Sequence, residues 1–270
     1  MTPRIHRAKL RTVFGRDPAR YDRARTAYPP EVFEILTDRC GLAPGKAVFE
    51  IGPGTGIATR ELLARGADPL VLIEADRRLV RYLRRTLDLH GADVQFRTGP
   101  FERAVLPRAY FDLGVAATSF HWLPARLAFR RVARALRPGG WWAVWNNRHS
   151  DPYREGPFSR ALISLYAELE GRRTSNATLR AADRRQGAKR LAAARAVGAF
   201  ERISRQDIHW KVTLSAERVA ALWGTFSDVL TLPAARRRWF LAELRRIGNE
   251  DLGGRVTVPM LTSVYTARRR

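Results

Sequence analysis

Cysteine is almost missing from this chain: Cys40 is the one thiol in 270 residues. That excludes a disulfide framework and a thiolate metal cluster. Acidic residues are few, 26 against 49 bases, and almost all of those bases are arginine. No apolar run reaches the ~18–20 residues that span a membrane, and no signal-peptide apolar core stands near the start. A cytoplasmic protein with no membrane partner is the expectation. Histidines number 5 and form no ligand cluster of regular spacing, so no metal is expected. There is neither a nucleophile elbow nor a phosphate-loop lysine.

The charge that remains, +23, has two readings. A field of that size attracts nucleic acid or other anions. Arginine spread evenly over a surface gives the same total without any such partner. The arginines run along the whole chain and form no dense tail, so a nucleic-acid groove is not the expected use. Hydrophobic residues make up 45%, enough for one full core with a cap.

What organises the chain is Val48 to Thr59, VFEIGPGTGIAT. Val48, Phe49 and Ile51 read as a buried strand, Gly52, Gly54 and Gly56 as a tight turn, and the residues from Ile57 as a helix. Glycine lets backbone approach a ligand, and the N–H groups at a helix start point toward it. The spacing is not that of a dinucleotide fingerprint, because Ile57 stands where a third glycine belongs. A bare strand-to-helix turn would show the same glycines. A second signal weighs against that: VLIEAD, Val71 to Asp76, ends in Glu74, about 20 residues on, where a ribose-binding carboxylate belongs.

With Glu50 ahead of it, the E-x-G-x-G-x-G turn resembles motif I of class I methyltransferases dependent on S-adenosyl-L-methionine (SAM). The order FDLGVAA, then SFHW, then LRPGG is similar to the same family. The segment FGRDPARYDRARTAY, Phe14 to Tyr28, resembles the N-terminal lid of small-molecule methyltransferases related to the trans-aconitate methyltransferase group. The resemblance implies SAM as cofactor and a small-molecule methyl acceptor. It implies that SAM is bound by Gly52, Pro53, Gly54, Thr55 and Gly56, with its ribose on Glu74 beside Ala75. It further implies contacts from Tyr21, Arg25 and Tyr28, Arg25 lying near the SAM carboxylate, and from Ala117 and Thr118 after the fourth strand. Where the family has an acidic or polar residue for the adenine edge, this chain has Pro100 and Phe101; Phe101 either stacks or packs.

Strand and helix signals alternate from residue 48 to residue 145, which predicts a doubly wound parallel sheet. Two late strands, Phe200–Leu214 and Arg255–Ala267, would complete a mostly parallel seven-stranded α/β sheet of the Rossmann-like class I methyltransferase kind, with helical cap insertions. The expected division is a lid over residues 1–30 and a SAM-binding core over 31–148. A helical cap over 149–198 and terminal strands with inserted helices over 199–270 follow. Arg137-Pro138-Gly139-Gly140 reads as a stop before a short fifth strand, Trp141–Trp145.

Methyl transfer from a sulfonium needs an aligned nucleophile more than a special catalytic group, with a base where an O–H or N–H must lose its proton. Of the histidines, His6 lies in the N-terminal tail, His90 in a connection, His149 after the fifth strand and His209 in a late strand. His121 alone is expected at the carboxyl end of a central strand, where doubly wound sheets bind ligands. It is either the base or a residue that shapes its loop. Trp122 and Trp145, with Trp210 and Trp223, suit an apolar acceptor pocket; His121, Trp122 and Trp145 are the expected acceptor contacts. A nucleic-acid methyltransferase is the alternative. The chain has Ala116-Ala117-Thr118-Ser119 where many base N-methyltransferases carry an Asn/Asp-Pro-Pro-aromatic signature. Oligomeric state leaves no sequence trace.

Overall fold

A computed structural model describes residues 14–89, 91–171 and 173–270. His6 and His90 lie outside the described residues, as does the part of the expected lid before Phe14.

Seven strands form one sheet: β1 (Lys46–Ile51), β2 (Ala67–Glu74), β3 (Val94–Thr98), β4 (Phe111–Ala117), β5 (Leu136–Arg148), β6 (Phe200–Ser215) and β7 (Arg255–Arg269). Their order is β3-β2-β1-β4-β5-β7-β6. β1 to β5 pair in parallel, and β7 runs antiparallel to both its neighbours. The central strands are buried on both faces and read as continuous apolar runs for that reason. Side chains alternate between two cores. Val48, Leu70, Leu113 and Ala143 face one core, where they meet helices α2 (Pro30–Asp38) and α3 (Ile57–Ala64). Phe49, Val71, Ala116 and Val144 face the other, against α5 (Ala125–Ala135) and α7 (Asn176–Arg195). Helix α4 (Arg77–Thr86) connects β2 and β3. This is the doubly wound α/β sheet the sequence predicts.

A third core stands at the far end of the β6–β7 pair. It joins α6 (Pro157–Glu170), α8 (Ala216–Trp223) and α10 (Ala234–Arg246) to Val256, Val258 and Met260 of β7. The short α9 (Ser227–Leu230) lies between α8 and α10. The expected cap over 149–198 therefore divides. α6 joins the third core through Phe158, Leu162, Leu165 and Leu169, whereas α7 returns to the sheet and places Ala194 in the second core.

Strand β5 is longer than its sequence suggests. It begins at Leu136, passes through Gly139 at φ +79, and continues three residues past Trp145 to Arg148. The Pro-Gly-Gly run is a bulge in the strand and not a stop. A shift in the β4–β5 register, between Phe111 and Leu113, absorbs it.

The N-terminal segment opens with a turn at Phe14–Arg16 and continues as α1 (Pro18–Ala24). Asp17 caps α1 by accepting from the Arg20 amide at 3.0 Å, and Pro18 fills the first helical position. The segment lies across the sheet's carboxyl edge. Asp22 takes two bonds from Arg60 and one from Tyr82.

Candidate active site

The strand order reverses between β1 and β4, and doubly wound sheets open a crevice at that point. A cavity of about 440 Å³ lies there, within the ~300–1,000 Å³ range of small-molecule sites. Its floor is the glycine turn. Gly52, Gly54 and Gly56 take φ of +67, +62 and +88, values that side chains with a Cβ resist. Gly52 has a further reason to be glycine: a Cβ there would stand 2.7 Å from Cβ of Ser119. At Gly54 a Cβ would meet nothing within 4 Å, so this backbone is open to the cavity. Gly56 begins α3 and turns toward Leu83, whose Cδ2 would lie 2.8 Å from a Cβ. It does not line the cavity.

Two carboxylates stand beside the turn. Glu74, at the end of β2, accepts from the Gly54 amide at 3.1 Å and from the Asp76 amide at 2.9 Å. Glu50 lies beneath the turn, fully buried, and accepts from Thr59 Oγ1 at 2.6 Å. Burial pushes both carboxyls up to about 7; their mutual repulsion adds to the rise at Glu50. Glu50 Oε1 and Thr55 Oγ1 are buried with no protein partner. Open glycine backbone, an orphaned hydroxyl and a strand-end carboxylate together fit a ligand that carries positive charge and ribose hydroxyls.

Of the expected cofactor contacts, Tyr21, Arg25, Tyr28, Gly52, Pro53, Gly54, Thr55, Glu74, Ala75, Pro100, Phe101, Ala117 and Thr118 all line this cavity. Phe101 keeps only 3% of its surface exposed; it packs inward, its ring 6.5 Å from that of Phe49. Thr118 has φ +53, and its hydroxyl shares a 2.9 Å hydrogen bond with that of Tyr28. Arg25 lies between the rings of Tyr21 and Phe226, 4.8 and 4.7 Å from their centroids. It donates to the Thr225 carbonyl at 3.2 Å.

The expected acceptor residues separate. His121 and Trp122 line the cavity, their rings 4.6 Å apart, with Phe14 of the N-terminal segment against Trp122 at 6.2 Å. His121 is exposed at the mouth. Trp145 is not on the cavity. It is wholly buried in the first core, edge-on to Tyr28 and Phe33, because its place in β5 turns it to the α2 face of the sheet. Trp210 is also away from the cavity; it packs between two cores and donates to Thr262 Oγ1 at 2.9 Å.

Several cavity residues are not among the expected site residues. Asn147, Arg148, His149 and Ser150 come from the extension of β5 and the residues after it. Leu162 and Tyr166 come from α6, and Phe226 and Asp228 from the α8–α9 region. Tyr166 donates to Asp228 Oδ2 at 2.9 Å. Because β5 runs to Arg148, His149 follows directly on its carboxyl end.

A family model described as a methyltransferase domain matches residues 48–140. An uncharacterized methyltransferase of Mycobacterium tuberculosis is 34% identical over 136 residues, 50% of this chain and 52% of that protein. The chain thus spans about half the length of the curated relatives it matches. A shorter match is to a ribosomal RNA small subunit methyltransferase A of Deinococcus radiodurans, 36% identical over 104 residues, 34% of this chain and 35% of that protein. Among solved structures, a protein assigned as a type II methyltransferase from Anaeromyxobacter dehalogenans superposes with a TM-score of 0.61 at 19% identity, covering 91% of this chain and 97% of that one. Residues 48–140 thus match a methyltransferase domain, and the sheet shares its fold with the Anaeromyxobacter dehalogenans protein.

Proposed function

We propose that the whole chain is a methyltransferase that moves the methyl group of SAM to a small-molecule acceptor. The observation that carries this reading is one cavity with two unlike ends. One end has the open Gly54 backbone, Thr55 and Glu74; the other has Leu162, Trp223 and Phe226. SAM, when bound, supplies a methyl carbon activated by a positive sulfur. In this reading Gly52–Thr55 hold its amino-acid part, Glu74 its ribose, and Tyr21, Arg25 and Tyr28 cover it. The residues of this chain then have to exclude water and hold the acceptor in line. His121 at the mouth is proposed to close over the ligands with Trp122. A cytoplasmic setting belongs to the same proposal; among the described residues no helix is long and apolar enough to cross a membrane, and Cys40 is a buried free thiol.

A nucleic-acid acceptor is the second reading, favoured by the +23 charge and by the partial match to a ribosomal RNA methyltransferase. An aromatic-walled chamber beneath α6 and α9 suits a small molecule better than a polynucleotide. Calorimetry with SAM and a mass-detected screen of metabolites test the first reading; Glu74→Ala should weaken SAM binding through a lost charge-assisted bond worth about 1.5–3 kcal/mol. Unchanged SAM affinity in that variant would overturn the assignment. Sub-micromolar retention of random RNA at ~150 mM salt, with a steep salt slope, would favour the second reading.

A further inference from the structure

The acceptor end of the cavity is mostly apolar, and its polar groups are nearly all engaged. Asn147 donates to the Ala27 carbonyl at 3.1 Å and accepts from Thr262 at 2.7 Å. Tyr166 and Asp228 bond each other, and Arg148 pairs with Asp183 at 3.3 Å. Two neighbours in sequence, His149 and Ser150, each hold a polar atom with unused bonding capacity. His149 bonds Thr26 Oγ1 through Nε2 at 3.3 Å; among the described residues its Nδ1 has no hydrogen-bond partner. Ser150 Oγ is buried without one. Both residues line the cavity.

The His149 ring is held on several sides. It lies 4.8 Å from the ring of Phe226 and 6.2 Å from that of Trp223, with 9% of its surface exposed. The chain just beyond is pinned to the sheet. The Asp151 amide donates to the Pro259 carbonyl at 3.0 Å, and the Asp151 carboxylate bonds His209 Nδ1 at 2.6 Å. A ring so held, beside an unsatisfied hydroxyl in an apolar chamber, is a built polar spot with no partner of its own.

We infer that His149 is the residue that receives the acceptor, and that the acceptor is a small, largely apolar molecule presenting a hydroxyl group to the imidazole. The inference rests on the methyltransferase reading above. Burial and the nearby Arg25 guanidinium hold the His149 pKa well below the ordinary 6.5. The ring is then neutral at pH 7 and able to accept a hydrogen bond. Burial acts first and the Arg25 charge second, and both disfavour the protonated ring. The hydrogen bond fixes the hydroxyl oxygen so that a lone pair faces the methyl carbon. As the oxygen–carbon bond forms, the methyl–sulfur bond breaks and sulfur keeps that electron pair. The oxygen's proton becomes strongly acidic at that stage, so even a weakly basic imidazole takes it and then gives it to water.

The test uses the full chain loaded with S-adenosyl-L-homocysteine and two probe pairs, phenol with anisole and 2-naphthol with 2-methoxynaphthalene. Calorimetry should show at least one hydroxyl probe binding tenfold or more tightly than its methyl ether. In His149→Phe the difference should shrink below twofold. If that variant does not fold, His149→Gln serves, with an expected reduction of the difference to about threefold. Equal affinity within both pairs, binding of no probe, or a preference that survives substitution would overturn the inference. Binding of SAM to the unmodified chain is measured first. Its absence would sink the methyltransferase reading itself, whereas SAM binding without hydroxyl preference sinks only the role of His149.

Discussion

Asp22 of the N-terminal helix and Arg60 of the helix after the glycine turn form a two-pronged ion pair, with Arg60 Nη2 at 2.9 and 2.8 Å from the two carboxylate oxygens. Tyr82 adds a third bond to the same carboxylate at 3.0 Å. One surface carboxylate thus ties the segment over the cavity to the two helices that flank the cofactor end.

Asp22→Ala should loosen that segment without unfolding the core. Arg60 is 43% exposed, so the pair is screened, and exposed pairs contribute only about 0.2–1 kcal/mol. SAM affinity should fall by about two- to fivefold. Amide exchange over residues 14–28 should accelerate while the β1 amides stay protected. Unchanged exchange in the segment would show that Phe14 and Tyr21 hold it without the ion pair.

Trp145 gives a prediction of the opposite kind. With the other tryptophans it is expected to wall the acceptor pocket, but it is a core residue. Trp145→Ala should lower stability by about 3–5 kcal/mol, as large aromatic truncations in cores do. Trp145→Phe should be milder, because the indole Nε1 has no partner to lose. Denaturant unfolding measures both. A stable Trp145→Ala protein with altered acceptor preference would return the residue to the cavity.

Much of this fold is legible in the sequence because its central strands obey simple rules. β1, β2 and β4 are continuous apolar runs, and the Gly52–Gly54–Gly56 spacing marks a turn that needs positive φ. Glu74 could be read from its distance to that turn. The acceptor end was less legible for physical reasons. β5 continues to Arg148 through Asn146 and Asn147, which have no β-propensity signal, so His149 read as a loop residue. Trp145 shares a face with Ala143 by simple alternation, but which face meets α2 is set by helix packing and has no local signal. Tyr166, Phe226 and Asp228 meet only because α6 and α9 pack on the far end of β7. No local pattern encodes that long-range contact.

The two buried carboxyls predict an unusual pH dependence of stability in the ligand-free protein. Glu50 and Glu74 titrate near 7 in the folded chain against an ordinary value of 4.5. Below 4.5 both carboxyls are protonated whether the chain is folded or not. As pH rises, the unfolded chain loses its protons first. The stability lent by protonation is therefore full below 4.5 and gone once pH passes about 7. A melting series should show Tm falling from pH 5 to pH 8. Glu50→Gln should flatten the fall, while an unchanged slope would exclude Glu50 as a source. Binding of a cation at this end favours the ionised carboxylates, so SAM binding should release protons near pH 6.5. Calorimetry in two buffers of different ionisation enthalpy measures that release.

Gly52 and Gly54 separate folding from binding. Both have left-handed φ, so an added Cβ strains either backbone by about 1–2 kcal/mol. The surroundings then differ. At Gly52 the new methyl would meet Ser119 Cβ at 2.7 Å, and the Ser119 hydroxyl is already committed to the Ile51 carbonyl. The β4 loop would have to move, and Thr118, held by Tyr28, would move with it. Gly52→Ala should therefore lose stability beyond backbone strain, by a further ~1–3 kcal/mol of overpacking, as well as ligand affinity. At Gly54 the methyl meets nothing within 4 Å, so Gly54→Ala should fold with only the backbone strain. That methyl instead stands on the floor where SAM is proposed to lie, beside the amide that donates to Glu74. Gly54→Ala should give a nearly normal denaturation curve and at least a tenfold loss of SAM affinity. If Gly54→Ala binds SAM as the unmodified chain does, the open backbone at Gly54 is not where the cofactor lies.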